Sequence, residues 1–137
     1  MLNIISIILY MFVGIICIIM AYKSIFTKKF LPFHEDASRI SWEYIDKPLQ
    51  LVILTILKIS GLGFFIVGLL LVIFPIVNYV LSDYFVQYAI PIISLLYCFG
   101  IFIFNYNLHK KTEANTPWKA TLIALLIIII GLIISAI

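Results

Sequence analysis

Residues 49–74 read LQLVILTILKISGLGFFIVGLLLVIF, and Lys58 is the single charge in that stretch. As a helix it is roughly 39 Å long, more than the roughly 30 Å hydrocarbon core of a bilayer. Its apolar residues run on without the period-two alternation of a barrel strand, so a helix is the form that satisfies its backbone in lipid. Similar stretches lie near 2–22, 85–106 and 118–137. The expected fold is an all-α transmembrane four-helix bundle, a single integral membrane domain over 1–137. Composition agrees: 65% of the chain is hydrophobic and 11% charged, whereas soluble chains run nearer half and a quarter.

The charges between the spans orient them. The first connection carries Lys23, Lys28, Lys29, Arg39 and Lys47, and the third carries Lys110 and Lys111, with Lys119 at the mouth of the last span. The second connection, Pro75–Tyr84, has no cation and one acid, Asp83. Cytoplasmic loops collect Lys and Arg, so connections one and three are expected in the cytoplasm and both termini outside, in a plasma (inner) membrane. The net charge of +3 is explained by these loops and calls for no nucleic acid. The first stretch lacks a basic leader and a small-x-small cleavage site, so it reads as a retained helix.

Within the long first connection, Pro32 blocks continuation of the first helix. From Asp36 to Lys47, Ala37, Ile40, Tyr44 and Ile45 fall on one helical face, and Asp36, Arg39, Glu43 and Asp46 on the other. This predicts a short amphipathic interfacial helix with Trp42 and Tyr44 at headgroup depth. Pro48 suits the first turn of the second span. Thr116 as cap and Pro117 as first residue would open the fourth span, with Trp118 as interfacial anchor. Pro91 is positioned to kink the third.

Each span carries an inward stripe. In the first, Asn3, Ser6, Tyr10, Gly14, Cys17 and Ala21 share a face. The third aligns Ser94, Tyr97, Cys98 and Asn105. The fourth aligns Ala120, Ala124, Gly131 and Ser135, and the second Gly61 and Gly68, with Thr55, Lys58 and Phe65 beside them. Small and polar residues are what transmembrane helices pack through. Gly61, Gly68, Ala120, Ala124, Gly131 and Ser135 are therefore the expected packing positions, the fourth-helix stripe serving this chain or another subunit.

Lys58 stands out chemically. About ten residues in from Pro48, it would cost on the order of 2.5–3.5 kcal/mol at mid-span, so it calls for a partner, a wet pocket or a snorkelling path. By angle it sides with Gly61 and Gly68, which predicts that it points inward. Lys58, Thr55, Tyr97, Cys98 and Asn105 then form a candidate ligand-binding set. Cys17 and Cys98 read as small buried hydrophobes with reduced thiols, a redox pair being the alternative. His34, Glu35, Asp36 and His109 are weak metal candidates without a closed ligand spacing, and surface residues are the simpler account. Gly61-Leu62-Gly63 lies inside a span and follows no strand, so it is not a nucleotide loop. No metal, cofactor or catalytic constellation is expected.

Leu31-Pro32-Phe33-His34, Trp42, Gln50, Leu57-Lys58, Gly61-x-Gly63-Phe64 and Thr116-Pro117-Trp118 together resemble short uncharacterised bacterial integral membrane proteins, similar in four-helix organisation to DoxX-like proteins. The resemblance spans most of the chain and implies the four-span fold, without a catalytic residue. Three functions follow from the residues. The first is a non-enzymatic accessory or structural subunit of a membrane assembly, with lipid, a second copy or a larger complex as partners. The alternative is a binder or carrier of a small anionic or amphipathic molecule or lipid, using Lys58. A membrane enzyme or redox partner comes third.

Overall fold

The computed structural model describes residues 3–81 and 84–137. Asp83, the acid of the second connection, and the start of the first stretch at position 2 lie outside them. Five α-helices follow one another: α1 (Ile4–Phe26), α2 (Pro32–Ser38), α3 (Lys47–Leu81), α4 (Tyr84–Thr112) and α5 (Trp118–Ala136), with a 3-10 turn at Trp42–Tyr44 between α2 and α3. Among the described residues there is no strand. Helices α1, α3, α4 and α5 are long and apolar enough to cross a membrane, and they pack as a four-helix bundle. These four candidate spans mark a multi-pass membrane protein.

The helices overrun the expected ends. α3 runs to Leu81 through Pro75 and α4 starts at Tyr84, so most of the expected connection Pro75–Tyr84 is helical. Pro75 and Pro91 are both fully buried inside helices. Each removes one backbone donor, and in a spanning helix neighbouring helices can compensate.

Glycines decide the closest pairing. A Cβ on Gly14 would stand 2.9 Å from the Gly68 carbonyl oxygen, and one on Gly68 would stand 2.8 Å from that of Gly14. Gly61 meets Ala21, Ser24 and Ile25 in the same way. α1 and α3 therefore run antiparallel in backbone contact along most of α1, by the small-residue logic of lipid-embedded helices. α1 presents Ser6, Tyr10, Val13, Gly14, Cys17, Ala21 and Ser24 to the interior. α5 closes on α1 where the Tyr10 ring covers Gly131, so closely that a Cβ on that glycine would stand 2.6 Å from the ring edge. α4 packs chiefly on α5 and less closely on α3.

The first connection departs from expectation. Its helix is α2, over Pro32–Ser38, and not a helix from Asp36 to Lys47. Pro32 opens it, its fixed φ suiting the first turn. Arg39, in the left-handed region at φ 56°, ends it. Trp42 and Tyr44 lie in the 3-10 turn, which the Gln50 amide ties down by donating to the Trp42 carbonyl at 2.9 Å. The Asn115 N–H donates to Asp36 Oδ2 at 2.8 Å and fastens α2 to the α4–α5 connection. That connection differs by one position: Pro117 is the cap residue, and Thr116 donates its hydroxyl to the Asn105 carbonyl at 2.8 Å instead of capping α5.

Candidate functional site

A cavity of about 280 Å³ lies between the four spans, in the half of the bundle nearer α2. Cys17 and Ser24 of α1, Ser60 and Phe64 of α3, and Tyr97, Cys98 and Asn105 of α4 contribute to its wall. α5 adds Thr121 and Ala124, and Leu31, Phe33 and His34 cover the end beside α2. Cys98 and Asn105 are two helical turns apart, so the cavity reaches about 10 Å from the thiols to that end. Phe104, 72% exposed, stands at its edge and places the cavity beside the outer surface of the bundle.

Local packing explains why space remains. Tyr97 leans over Gly63, where an added Cβ would lie 2.8 Å from its hydroxyl oxygen, and it meets Phe64 edge-on with centroids 5.6 Å apart. This aromatic contact holds α4 away from α3. Next to it, Cys17 of α1 and Cys98 of α4 both border the cavity. Both are free and buried.

Among the described residues, no Lys, Arg, Asp or Glu lines the cavity. Its polar groups are hydroxyls, thiols, one amide and the His34 imidazole. His34 packs against Phe33 and Phe30, with ring centroids 4.0 and 5.9 Å away. Its Nδ1 is occluded and has no hydrogen-bond partner among the described residues. Burial accordingly holds the His34 pKa below its ordinary value.

The candidate ligand set divides. Tyr97, Cys98 and Asn105 share the cavity, whereas Lys58 and Thr55 are exposed on the outer side of α3. Thr55 donates to its own helix at the Leu51 carbonyl, 2.8 Å away. The inward orientation expected for Lys58 is thus overturned. The buried face of α3 carries Leu57, Gly61, Val67, Gly68, Leu71 and Phe74. Gly61 and Gly68 sit within that face, but Lys58 lies around the helix from them on the side away from Leu57. The α1–α3 register, carried one turn past Gly61, sets Lys58 level with the end of α1, where the chain departs toward Lys28 and Lys29.

The weak metal candidates disperse. His34 covers the cavity, Asp36 holds Asn115, and His109 Nδ1 lies 2.7 Å from the Ala114 carbonyl. Among the described residues, no group of three His, Cys, Asp or Glu side chains could hold a metal ion. On α5, Ala124 lines the cavity, Ala120 is exposed at its rim, Gly131 lies under Tyr10, and Ser135 joins a second polar cluster. Its hydroxyl donates to Gly131 O and meets Tyr10 at 3.3 Å, while Gln87 and Tyr88 donate to its carbonyl at 3.2 Å each.

Sequence reasoning did not find Ser24, Ser60, Thr121 or His34 as cavity residues. The small hydroxyl residues inside three spans were the available signal. His34 had none, because its place depends on how α2 folds back. No known protein family matches the chain, nor does any curated protein or solved structure.

Proposed function

We propose that this protein binds a small, neutral, largely apolar molecule inside a bacterial plasma (inner) membrane, its basic end in the cytoplasm and both termini outside. The observation that carries the reading is the cavity: four spans and α2 border it, and among the described residues no charged side chain lines it. An ionised ligand would lose its hydration there without a counter-ion, at a cost of several kcal/mol or more. A neutral molecule with one or two hydrogen-bonding groups meets hydroxyls and the His34 imidazole. The volume is near the low end of ligand pockets, roughly 300–1,000 Å³. Lys58, which motivated an anionic ligand, stands elsewhere and fits a snorkelling role at the basic boundary.

The reading also draws on α5. An accessory subunit would spend the small-residue stripe on another chain, but Gly131 already accepts the Tyr10 ring and Ala124 faces the cavity. The DoxX-like resemblance belongs to this proposal as a shared four-span organisation.

Native mass spectrometry of protein taken gently from its own membranes tests the proposal. The wild-type chain is expected to carry a neutral adduct of a few hundred daltons, and Ala124→Phe, which fills the cavity, to lose it. Adduct-free wild type, or equal adducts on both proteins, would overturn the reading.

A further inference from the structure

We propose that the cavity selects an apolar alcohol, whose hydroxyl is held by a belt formed by Ser24, Ser60 and Thr121. The inference rests on the reading that the cavity binds a small neutral molecule, and it names the class. The three residues line the cavity, one each from α1, α3 and α5. Contacts between the helices set them at a common depth. A Cβ on Gly61, the neighbour of Ser60, would stand 3.1 Å from Ser24 Cβ. Tyr10 meets Ser135 at 3.3 Å, and from that pair about four turns along each antiparallel helix lead to Ser24 and to Thr121. Around the belt the wall is apolar, with Met20, Leu57, Phe64 and Ile101.

The hydroxyls differ in what they have left to offer. Thr121 donates to the Trp118 carbonyl at 2.8 Å, with the Pro117 carbonyl at 3.4 Å, both within its own helix turn. Its one proton is thereby engaged, and toward the cavity it offers lone pairs. Ser24 and Ser60 make no side-chain hydrogen bond among the described residues, so each is free to donate. A ketone, ester or ether oxygen only accepts: it can pair with a serine, but it meets Thr121 lone pair to lone pair. A hydrocarbon leaves all three hydroxyls unmatched. An alcohol donates to Thr121 and accepts from a serine in one pose. Sites built around a ligand hydroxyl reject analogues lacking it, because their own buried polar groups are then left unpaired.

The test uses three probes of one shape, menthane, menthone and menthol, titrated into stripped protein in micelles and followed by methyl NMR at Met20 and Leu57. Partition into the micelle cancels when each Kd in a variant is divided by that in wild type. Thr121→Val should weaken menthol by roughly three- to tenfold, the worth of one hydrogen bond, and leave menthone and menthane little changed. Ser24→Ala combined with Ser60→Ala should weaken menthol and menthone alike and spare menthane. Should Thr121→Val not fold, the wild-type preference for menthol over menthone, corrected for micelle partition, decides. Equal effects of Thr121→Val on all three probes, an unaffected menthol, or menthone bound as tightly as menthol by wild type would each overturn the alcohol. Saturable menthane binding without a menthol preference overturns this inference alone, whereas no saturable binding of any probe overturns the small-molecule site with it.

Discussion

Gly68 and Gly100 are the same residue in neighbouring helices, and their surroundings predict opposite responses to a methyl group. At Gly68 the new carbon would meet the Gly14 carbonyl oxygen at 2.8 Å and the Ile18 backbone nitrogen at 3.0 Å, neither able to swing aside. Gly68→Ala should destabilise by about 1–3 kcal/mol, the usual cost of overpacking. At Gly100 no atom of the described residues stands within 4 Å, so Gly100→Ala should be neutral or stabilise by up to about 1 kcal/mol through helix propensity. Unfolding titrations of both variants in mixed micelles compare them directly. His34 gives a pH prediction. Its folded pKa lies below the ordinary 6.5 because of burial, so the unfolded chain takes up the proton first as pH falls. Its contribution to stability is complete above about pH 6.5 and declines as pH drops toward the folded pKa. Thermal midpoints should show that decline in wild type and a smaller one in His34→Gln. The outward turn of Lys58 also belongs to this scale. An angle of 60–80° from the glycines does not choose a side of the helix. Leu57, on the other side, occupies the interior.

Helix ends were the least legible part of the sequence, and two of them explain why. Pro75 signals a break in water-soluble helices, yet α3 continues through it to Leu81. At its other end α3 starts at Lys47, so Lys58 stands level with the end of α1. The helical period from Asp36 to Lys47 was real as a pattern, but Arg39 adopts φ 56° and stops α2 after Ser38. That conformation is unfavourable for a side chain with a Cβ, by about 1 kcal/mol or more, and glycine adopts it freely. Arg39→Gly should therefore raise stability by a few tenths to about 1 kcal/mol. An unchanged or lowered unfolding midpoint would show that the Arg39 side chain makes a compensating contact. Inward stripes were read more successfully: Ser6, Tyr10, Gly14, Cys17 and Ala21 of α1 are all buried, and only Asn3 departs, exposed as the cap that accepts from the Ile5 N–H. Small and polar residues grouped on one face of a membrane helix favour that face as the packing side, and that preference is local in sequence.

At the scale of the whole molecule, hydrophobic length and continuity predicted four helices because lipid leaves the backbone few alternatives. The cavity was only partly legible. Tyr97, Cys98 and Asn105 share one helical face, so their grouping follows from period alone. The contribution of His34 depends on α2 folding over the basic end, and the space itself depends on Tyr97 holding α4 off α3. Those are tertiary facts with no sequence period. The central claim is that this space is a true internal site and not a seam open along its length to lipid. Xenon enters apolar cavities in proteins, which makes it a suitable probe. The decisive measurement is methyl NMR of the protein, stripped of co-purifying molecules, under increasing xenon pressure. The account predicts saturating shifts at Met20, Leu57, Ile101 and Ala124, with only weak linear drift at the exposed Ile8 and Ile93. Linear, unsaturable shifts of similar size at all six would contradict it.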